Sequence, residues 1–362
     1  MNKIKVLIVD DSAVIRSIVR ETLKLDDLIE VVGEAEDPLV ARKLIKTLNP
    51  DVITLDVEMP KMDGITFLKN LMRLRPIAVV MLSTLTTKGA EITIEALELG
   101  AIDFIAKPSV EDLIINRNSF QNTLLEKVRF AAEVDLKSYR LSHAINKVEG
   151  NRVLSFTGSK RTNHLIAIGA STGGTDAIKR VLTRLPNNSP PIVITLHIPK
   201  AFSGSFAKRL DTLCTVKVHE AQHGQKIKEG NVYLAPGDMH LKVACKGGSL
   251  FCQLEDSEEV NRHKPSVDVL FNSLSEIANN VQAVLLTGMG QDGAKGMLNL
   301  KQQGAKTIIQ NQQSSLIWGM PGSAFQLNAH CEQHDLADVA KNMLRFAALD
   351  RKSMKEVMYD YQ

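Results

Sequence analysis

The sequence predicts an α/β protein of two units. The first is an N-terminal (βα)5 domain. The second is a C-terminal doubly wound α/β domain with a mostly parallel sheet and a β-hairpin. Three observations lead there. Short apolar runs alternate with amphipathic segments through the first 130 residues, the same alternation resumes at Leu165, and a polar, basic stretch without clear periodicity lies between. A chain of 362 residues also has the length for two cores, at roughly 100 to 200 residues per domain.

In chain order, Val6 to Val9, Val31 to Ala35, Val52 to Leu55, Ala78 to Leu82 and Ile102 to Ala106 read as the strands of the first unit. Between them, apolar residues recur at three and four spacing, as in Ile15, Ile18, Val19, Leu23 and again in Phe67, Leu68, Leu71, Met72. Those stretches are predicted to be helices covering both faces of a parallel sheet. A last helix is expected from near Ser119 to about Val134, which gives a first domain over 1–134. Residues 135–162, with Gly150 and Gly158, have the composition of an exposed linker, and a second domain then occupies 163–362. Its strands are Leu165 to Ile168, Ile192 to Leu196, Val232 to Ala235 and Ala283 to Leu286. Leu241 to Leu254, turning at Lys246-Gly247-Gly248-Ser249, is expected to be an antiparallel hairpin set into that sheet. A final amphipathic helix is predicted beyond Asp335.

Composition excludes several classes. Hydrophobic residues at 44% and charged residues at 23% are those of a globular chain rather than a disordered one. No apolar run approaches the roughly 18 residues of a spanning helix, and Met1 to Asp10 enters a strand without a cationic leader, so no direct membrane insertion and a cytoplasmic location are expected. The net charge of +3 argues against a nucleic-acid partner. Cys214, Cys245, Cys252 and Cys331 form no C-x-x-C pair and are expected to be reduced thiols. All nine histidines fall at or after His143, which confines imidazole chemistry to the second half.

Asp10 and Asp11 follow the first strand, and Asp56 ends the third. In an open parallel sheet these ends converge on one crevice. Three carboxylates crowded together repel unless a divalent cation sits among them, and hard oxygen donors suit Mg²⁺. Ser83 and Lys107, at the ends of the fourth and fifth strands, bring phosphate-recognising groups to the same edge. Pro108 would fix that loop, with a cis bond to Lys107 as one way to do so, and Asp63 is expected to cap the following helix. The set resembles the receiver domain of bacterial response regulators across the whole first domain. That resemblance implies that Asp56 is the phosphoacceptor, that Asp10, Asp11, Asp56 and the Glu58 backbone hold Mg²⁺, and that Ser83 and Lys107 contact the phosphoryl group. Glu58 and Phe104 depart from the Asn and Tyr that many receivers carry there.

In the second unit, Gly169-Ala-Ser171-Thr-Gly173-Gly174 places a serine on a glycine-bounded turn between strand and helix, the setting of a nucleophile elbow or, equally, of a phosphate-cradling turn. No Gly-Lys-Ser/Thr follows, which argues against a nucleotide P-loop. A serine nucleophile needs a base. His197, closing the strand Ile192 to Leu196, lies on the same edge. His164 precedes its strand and belongs at the opposite edge. His219, His223, His330 and His334 read as surface residues, while His240 and His263 sit in loops that could border a pocket. Asp292, in Gly288-Met289-Gly290-Gln291-Asp292-Gly293, is the candidate orienting carboxylate, with the cap of the next helix as the alternative. The Met289 N–H is the candidate oxyanion donor, a group worth on the order of 3 kcal/mol in a transition state.

These motifs, together with His263-Lys-Pro-Ser-Val-Asp268, resemble the chemotaxis protein-glutamate methylesterases, the CheB family, over nearly the whole chain. The resemblance implies Ser171 as nucleophile, His197 as general base, Asp292 as its orienter and Met289 N–H in the oxyanion hole. It implies demethylation of glutamate γ-methyl esters on chemoreceptors with release of methanol, deamidation of receptor glutamines, and no cofactor for ester hydrolysis. It further implies a chemotaxis histidine kinase as phosphodonor, recruitment to chemoreceptor arrays, and an unphosphorylated first domain that covers the serine cleft. Two other readings remain at this point: an output module that grips a phosphorylated ligand through the Ser171 loop without cleaving it, and a DNA-binding output, which the modest charge disfavours.

Overall fold

The computed structural model describes residues 3–59, 63–108, 117–134, 136, 153–156 and 164–348, and the chain divides into two compact units, Met1–His143 and Ala144–Gln362.

The first unit runs β1 (Ile4–Val9), α1 (Ala13–Leu23), β2 (Ile29–Ala35), α2 (Pro38–Leu48), β3 (Val52–Asp56), α3 (Gly64–Leu74), β4 (Ala78–Ser83), α4 (Thr87–Glu98), β5 (Asp103–Ala106) and α5 (Arg117–Glu133). The sheet order is β2-β1-β3-β4-β5, with every neighbouring pair parallel. Order reverses between β1 and β3, so the loops leaving those two strands diverge and open a crevice at their C-terminal ends. Val6, Leu7, Ile8 and Val9 of β1 are fully buried, as continuous apolar strands covered on both faces must be. Side chains start the helices: Ser12 accepts from Ile15 N–H, Asp37 from Leu39 and Val40 N–H, and Asp63 from Thr66 N–H. The Lys107–Pro108 bond is not cis. The cis bond among the described residues is Lys264–Pro265, in the second unit.

The second unit contains β6 (Leu165–Ala170), α6 (Gly174–Leu182), β7 (Ile192–Leu196), α7 (Lys200–Leu213), β8 (Lys217–Glu220), β9 (Asn231–Leu234), β10 (His240–Lys246), β11 (Ser249–Glu255), α8 (Val267–Asn272) and a 3₁₀ turn (Ser275–Asn280). There follow β12 (Val281–Leu285), α9 (Ala294–Gln302), β13 (Lys306–Gln310), α10 (Met320–Gln326), β14 (Glu332–His334) and α11 (Leu336–Ala347). Seven parallel strands form the sheet β14-β13-β12-β6-β7-β9-β8. From β6 the chain winds first toward β7 and later returns to β12 on the other side. The switch point therefore falls beside β6, where ligand sites of such sheets form.

The hairpin corrects one expectation. β10 and β11 pair with each other as a separate two-stranded sheet, turning through Gly247 (φ 56°) and Gly248 (φ 72°), and are not strands of the parallel sheet. Alternating half-buried runs specify a hairpin but not what it packs on. The stretch 135–162 falls largely outside the described residues, but at 153–156 it packs part of its side chains, with Val153 left exposed. Leu154 and Phe156 are buried, Leu154 N–H donates to Arg184 O, and Asn188 Nδ2 donates to Phe156 O. Two apolar residues in a polar stretch are thus spent on the second unit's surface. Asp335 caps α11 through Ala337 N–H, and Leu336, Val339, Ala340, Met343, Leu344 and Ala347 form its buried stripe. No described helix is long and apolar enough to cross a membrane.

Candidate functional site

In the first unit, β1 and β3 deliver Asp10 and Asp56 into the crevice, both buried, with Asp11 exposed at its mouth. Oxygens of the three carboxylates lie within 4.8 Å of one another. Lys107 Nζ, brought in after β5, sits 2.8 Å from Asp10 Oδ2 and 2.7 Å from Asp56 Oδ2. Asp10 Oδ1 accepts from Ser12 N–H and Asp56 Oδ1 from Glu58 N–H. Burial, followed by the Asp10 charge, pushes the Asp56 carboxyl up to about 6 against the pull of Lys107. Crowded oxygens held at this spacing, with one ammonium as their counter-charge, are a donor set that a divalent cation fits. The Ser83 hydroxyl is turned into the base of α4, 2.7 Å from Thr93 Oγ1 and 3.3 Å from Gly89 O. It is therefore not bonded to the Asp56–Lys107 pair. Phe104 is buried, with Lys127 Nζ over its ring.

In the second unit, β6 ends directly before Ser171, and Gly173 (φ 75°) lets the chain turn into α6. Ser171 N–H donates to Thr287 O, tying the turn to the strand end beside it. His197 leaves β7, the other neighbour of β6. Its Nδ1 is 3.1 Å from Ser171 Oγ, and its Nε2 is 2.9 Å from Asp292 Oδ2. A carboxylate only accepts, so Nε2 carries the proton and the Nδ1 lone pair faces the hydroxyl. Ser171, His197 and Asp292, distant in sequence, thus form one continuous hydrogen-bonded chain at the switch point.

Asp292 is not a helix cap. The N-cap of α9 is Gly293, and the Asp292 carboxylate is spent elsewhere. Oδ1 accepts from Asn261 Nδ2 (2.7 Å), Ser266 Oγ (2.8 Å) and Asp268 N–H (3.2 Å), and Oδ2 accepts from Val267 N–H (2.6 Å) as well as from His197. Burial alone would raise this carboxyl. The bonds from His197, Asn261 and Val267 overcome it and hold the group well below the usual carboxylate range. Asp292 is therefore charged at neutral pH and anchors the imidazole. Burial, and the nearby Asp292 charge, push the neighbouring Asp268 upward, and it accepts from Gly296 N–H and Asn261 Nδ2.

The Gly288–Met289 segment lies against the serine. A Cβ on Gly288 would come within 2.9 Å of Ser171 Cβ and 2.3 Å of Met320 Sδ, so only glycine fits. The Met289 amide is the next backbone donor beyond that contact. Among the histidines, His263 stacks on His197. His240 is buried, accepting from Ser266 N–H and donating to Glu258 O. His164 is buried at the start of β6, the far end of the strand. Of the four read as surface residues only His223 is exposed, while His219, His330 and His334 are half-buried. Asn261 and Ser266 were not foreseen. Ser266 falls inside the His263-Lys-Pro-Ser-Val-Asp268 motif and Asn261 two residues before it, but nothing in that run signals that they converge on a carboxylate some 30 residues away, as they do here.

A parallel sheet with an acidic crevice, joined in one chain to a doubly wound sheet carrying a Ser–His–Asp chain, defines a class: a response regulator with a hydrolase as its output. The CheB methylesterase family model matches residues 166–343, and the response regulator receiver domain model matches residues 6–118. The chain is 51% identical over 348 residues to protein-glutamate methylesterase/protein-glutamine glutaminase 2 of Saccharophagus degradans, covering 96% of this chain and 99% of that one. It is 48% identical over 348 residues to the Escherichia coli protein-glutamate methylesterase/protein-glutamine glutaminase, covering 95% and 97%. Among solved structures, the Thermotoga maritima CheB methylesterase catalytic domain aligns with 33% identity and a TM-score of 0.50, over 52% of this chain and 99% of that one. The chain belongs to the CheB methylesterase family.

Proposed function

We propose that this protein is a phosphorylation-regulated hydrolase that converts glutamate γ-methyl esters on chemoreceptors to glutamate, releasing methanol, and deamidates receptor glutamines by the same route. The observation that carries the reading is the unbroken chain from Ser171 Oγ through the His197 ring to Asp292 Oδ2, in a chain that family membership ties to such enzymes. His197 Nδ1 takes the Ser171 proton as Oγ attacks the γ-carbonyl carbon. The imidazolium that forms is balanced by the Asp292 charge, which is fixed by its other bonds. Negative charge on the carbonyl oxygen faces the Met289 N–H. His197 then gives that proton to the leaving group, so that methoxide departs as methanol or the amide nitrogen of a glutamine departs as ammonia, and water activated by the same base hydrolyses the acyl-enzyme.

Control comes from Asp56 as the phosphoacceptor, with a chemotaxis histidine kinase as donor. Asp10, Asp11, Asp56 and the Glu58 backbone would hold Mg²⁺, which would supply positive charge to the incoming phosphoryl group. Lys107 pairs with that group once Asp56 is modified, and Ser83 reaches it by leaving its bond to Thr93. The enzyme works in the cytoplasm, at receptor arrays. Methanol release from methylated receptor membranes tests the reading: wild type releases it and Ser171→Ala does not. Equal release by the two proteins would overturn it.

A further inference from the structure

We infer that His263 is a positioning residue for His197, and that segment 261–268 is a single clamp fixing both the base and its carboxylate. The inference rests on the hydrolase reading of the Ser171 site. His197 is held in its plane by two hydrogen bonds, one at each ring nitrogen. Two bonds define a line, and the ring remains free to rock about that line. The His263 ring removes this freedom. It lies flat on His197 with ring centroids 3.6 Å apart and planes 11° from parallel. A flat π face is also a favourable neighbour for the imidazolium that forms when Ser171 is deprotonated, which an aliphatic side chain is not.

His263 is itself held. Val260 and His263 exchange both backbone hydrogen bonds around Asn261 (φ 55°) and Arg262 (φ 65°), a tight turn with two left-handed residues of which neither is glycine. His263 Nδ1 lies 2.7 Å from Asn261 O, so that nitrogen donates and the ring orientation is set. The same few residues send four hydrogen bonds to Asp292, from Asn261 Nδ2, Ser266 Oγ, Val267 N–H and Asp268 N–H. Asn261 thus contributes its carbonyl to the ring stacked on the base and its amide to the carboxylate behind it. This couples the two partners of His197 through one residue.

The test compares His263→Phe, which keeps a flat face, with His263→Leu, which fills the space without one, both in the full chain. For methanol release from methylated receptor membranes, His263→Leu should lose about tenfold or more in kcat with KM within about twofold, and His263→Phe should stay within about threefold of wild type. Equal kcat for the two variants overturns the stacking role, whether both match wild type or both fall. Ser171 labelling by a fluorophosphonate separates this inference from the substrate reading. If wild type releases no methanol yet labels faster than Ser171→Ala, the substrate reading fails and the labelling rates of the two His263 variants decide. Should either variant not fold, the wild-type protein still answers. The His197 ring protons must be displaced upfield by the stacked ring in its imidazole NMR spectrum, and their absence from that region overturns the inference.

Discussion

Asp56 and Asp292 are buried carboxylates pushed in opposite directions, and the groups around each explain why. Burial, reinforced by the like charge of Asp10, raises Asp56 to about 6. The native state then binds more protons than the unfolded chain between roughly pH 4 and pH 6, so the first unit loses stability as pH rises through that window. The loss is on the order of 3 kcal/mol. Asp56→Asn, which imitates the protonated form, should raise the thermal stability of that unit at pH 7.5 in EDTA, with the gain fading toward pH 4. A transition unchanged or lowered at pH 7.5 would contradict this. Asp292 accepts from five donors, which outweigh its burial and keep it charged. Asp292→Asn replaces an acceptor with an amide able to donate toward His197 Nε2, which favours the wrong tautomer at Nδ1. Its kcat should fall by about 10³ to 10⁴ with the fold intact, read by methanol release and circular dichroism.

At the scale of elements, the connection from β12 to α9 shows what a motif can and cannot convey. Its glycines suggest free backbone N–H groups near the serine. The structure gives a second reason for Gly288, the lack of room between Ser171 and Met320. Gly288→Ala must displace one of them, and kcat should drop about tenfold or more while KM changes little; a wild-type rate would show that the segment yields. The strand series of the first unit and the Ser171 turn were legible because buried parallel strands read as continuous apolar runs ending in Gly, Asp or Pro. Less legible were β8 and β14, the edge strands of the second sheet, and β13 beside β14, whose partly polar sequences carry a weak period. The hairpin was recognised and misplaced. Its Gly-Gly turn is local chemistry, whereas its packing partner is not.

At the scale of the whole molecule, one chain carries a candidate phosphoacceptor in its first unit and a candidate hydrolytic site in its second. If the first governs the second, acetyl phosphate with Mg²⁺ should raise methanol release by the full chain severalfold. Asp56→Asn should show no response and take up no phosphoryl label. Activation that persists in Asp56→Asn would place the control elsewhere. The four cysteines are free thiols, with burial pushing Cys214 and Cys252 up to about 12, which makes both poor nucleophiles at neutral pH.

The sequence by itself determined the two α/β units, the family, and the residues on each sheet edge worth suspecting, because strand periodicity and the turn chemistry at strand ends are local properties. Tertiary structure alone decided that Ser171, His197 and Asp292 touch, that Asn261 and Ser266 hold the carboxylate, that His263 covers the base, and that Ser83 faces α4. Each of those facts is a contact between segments far apart along the chain, or a choice of side-chain direction. Such contacts are fixed by which strands become neighbours and by how loops pack over them, and no window of sequence contains that information.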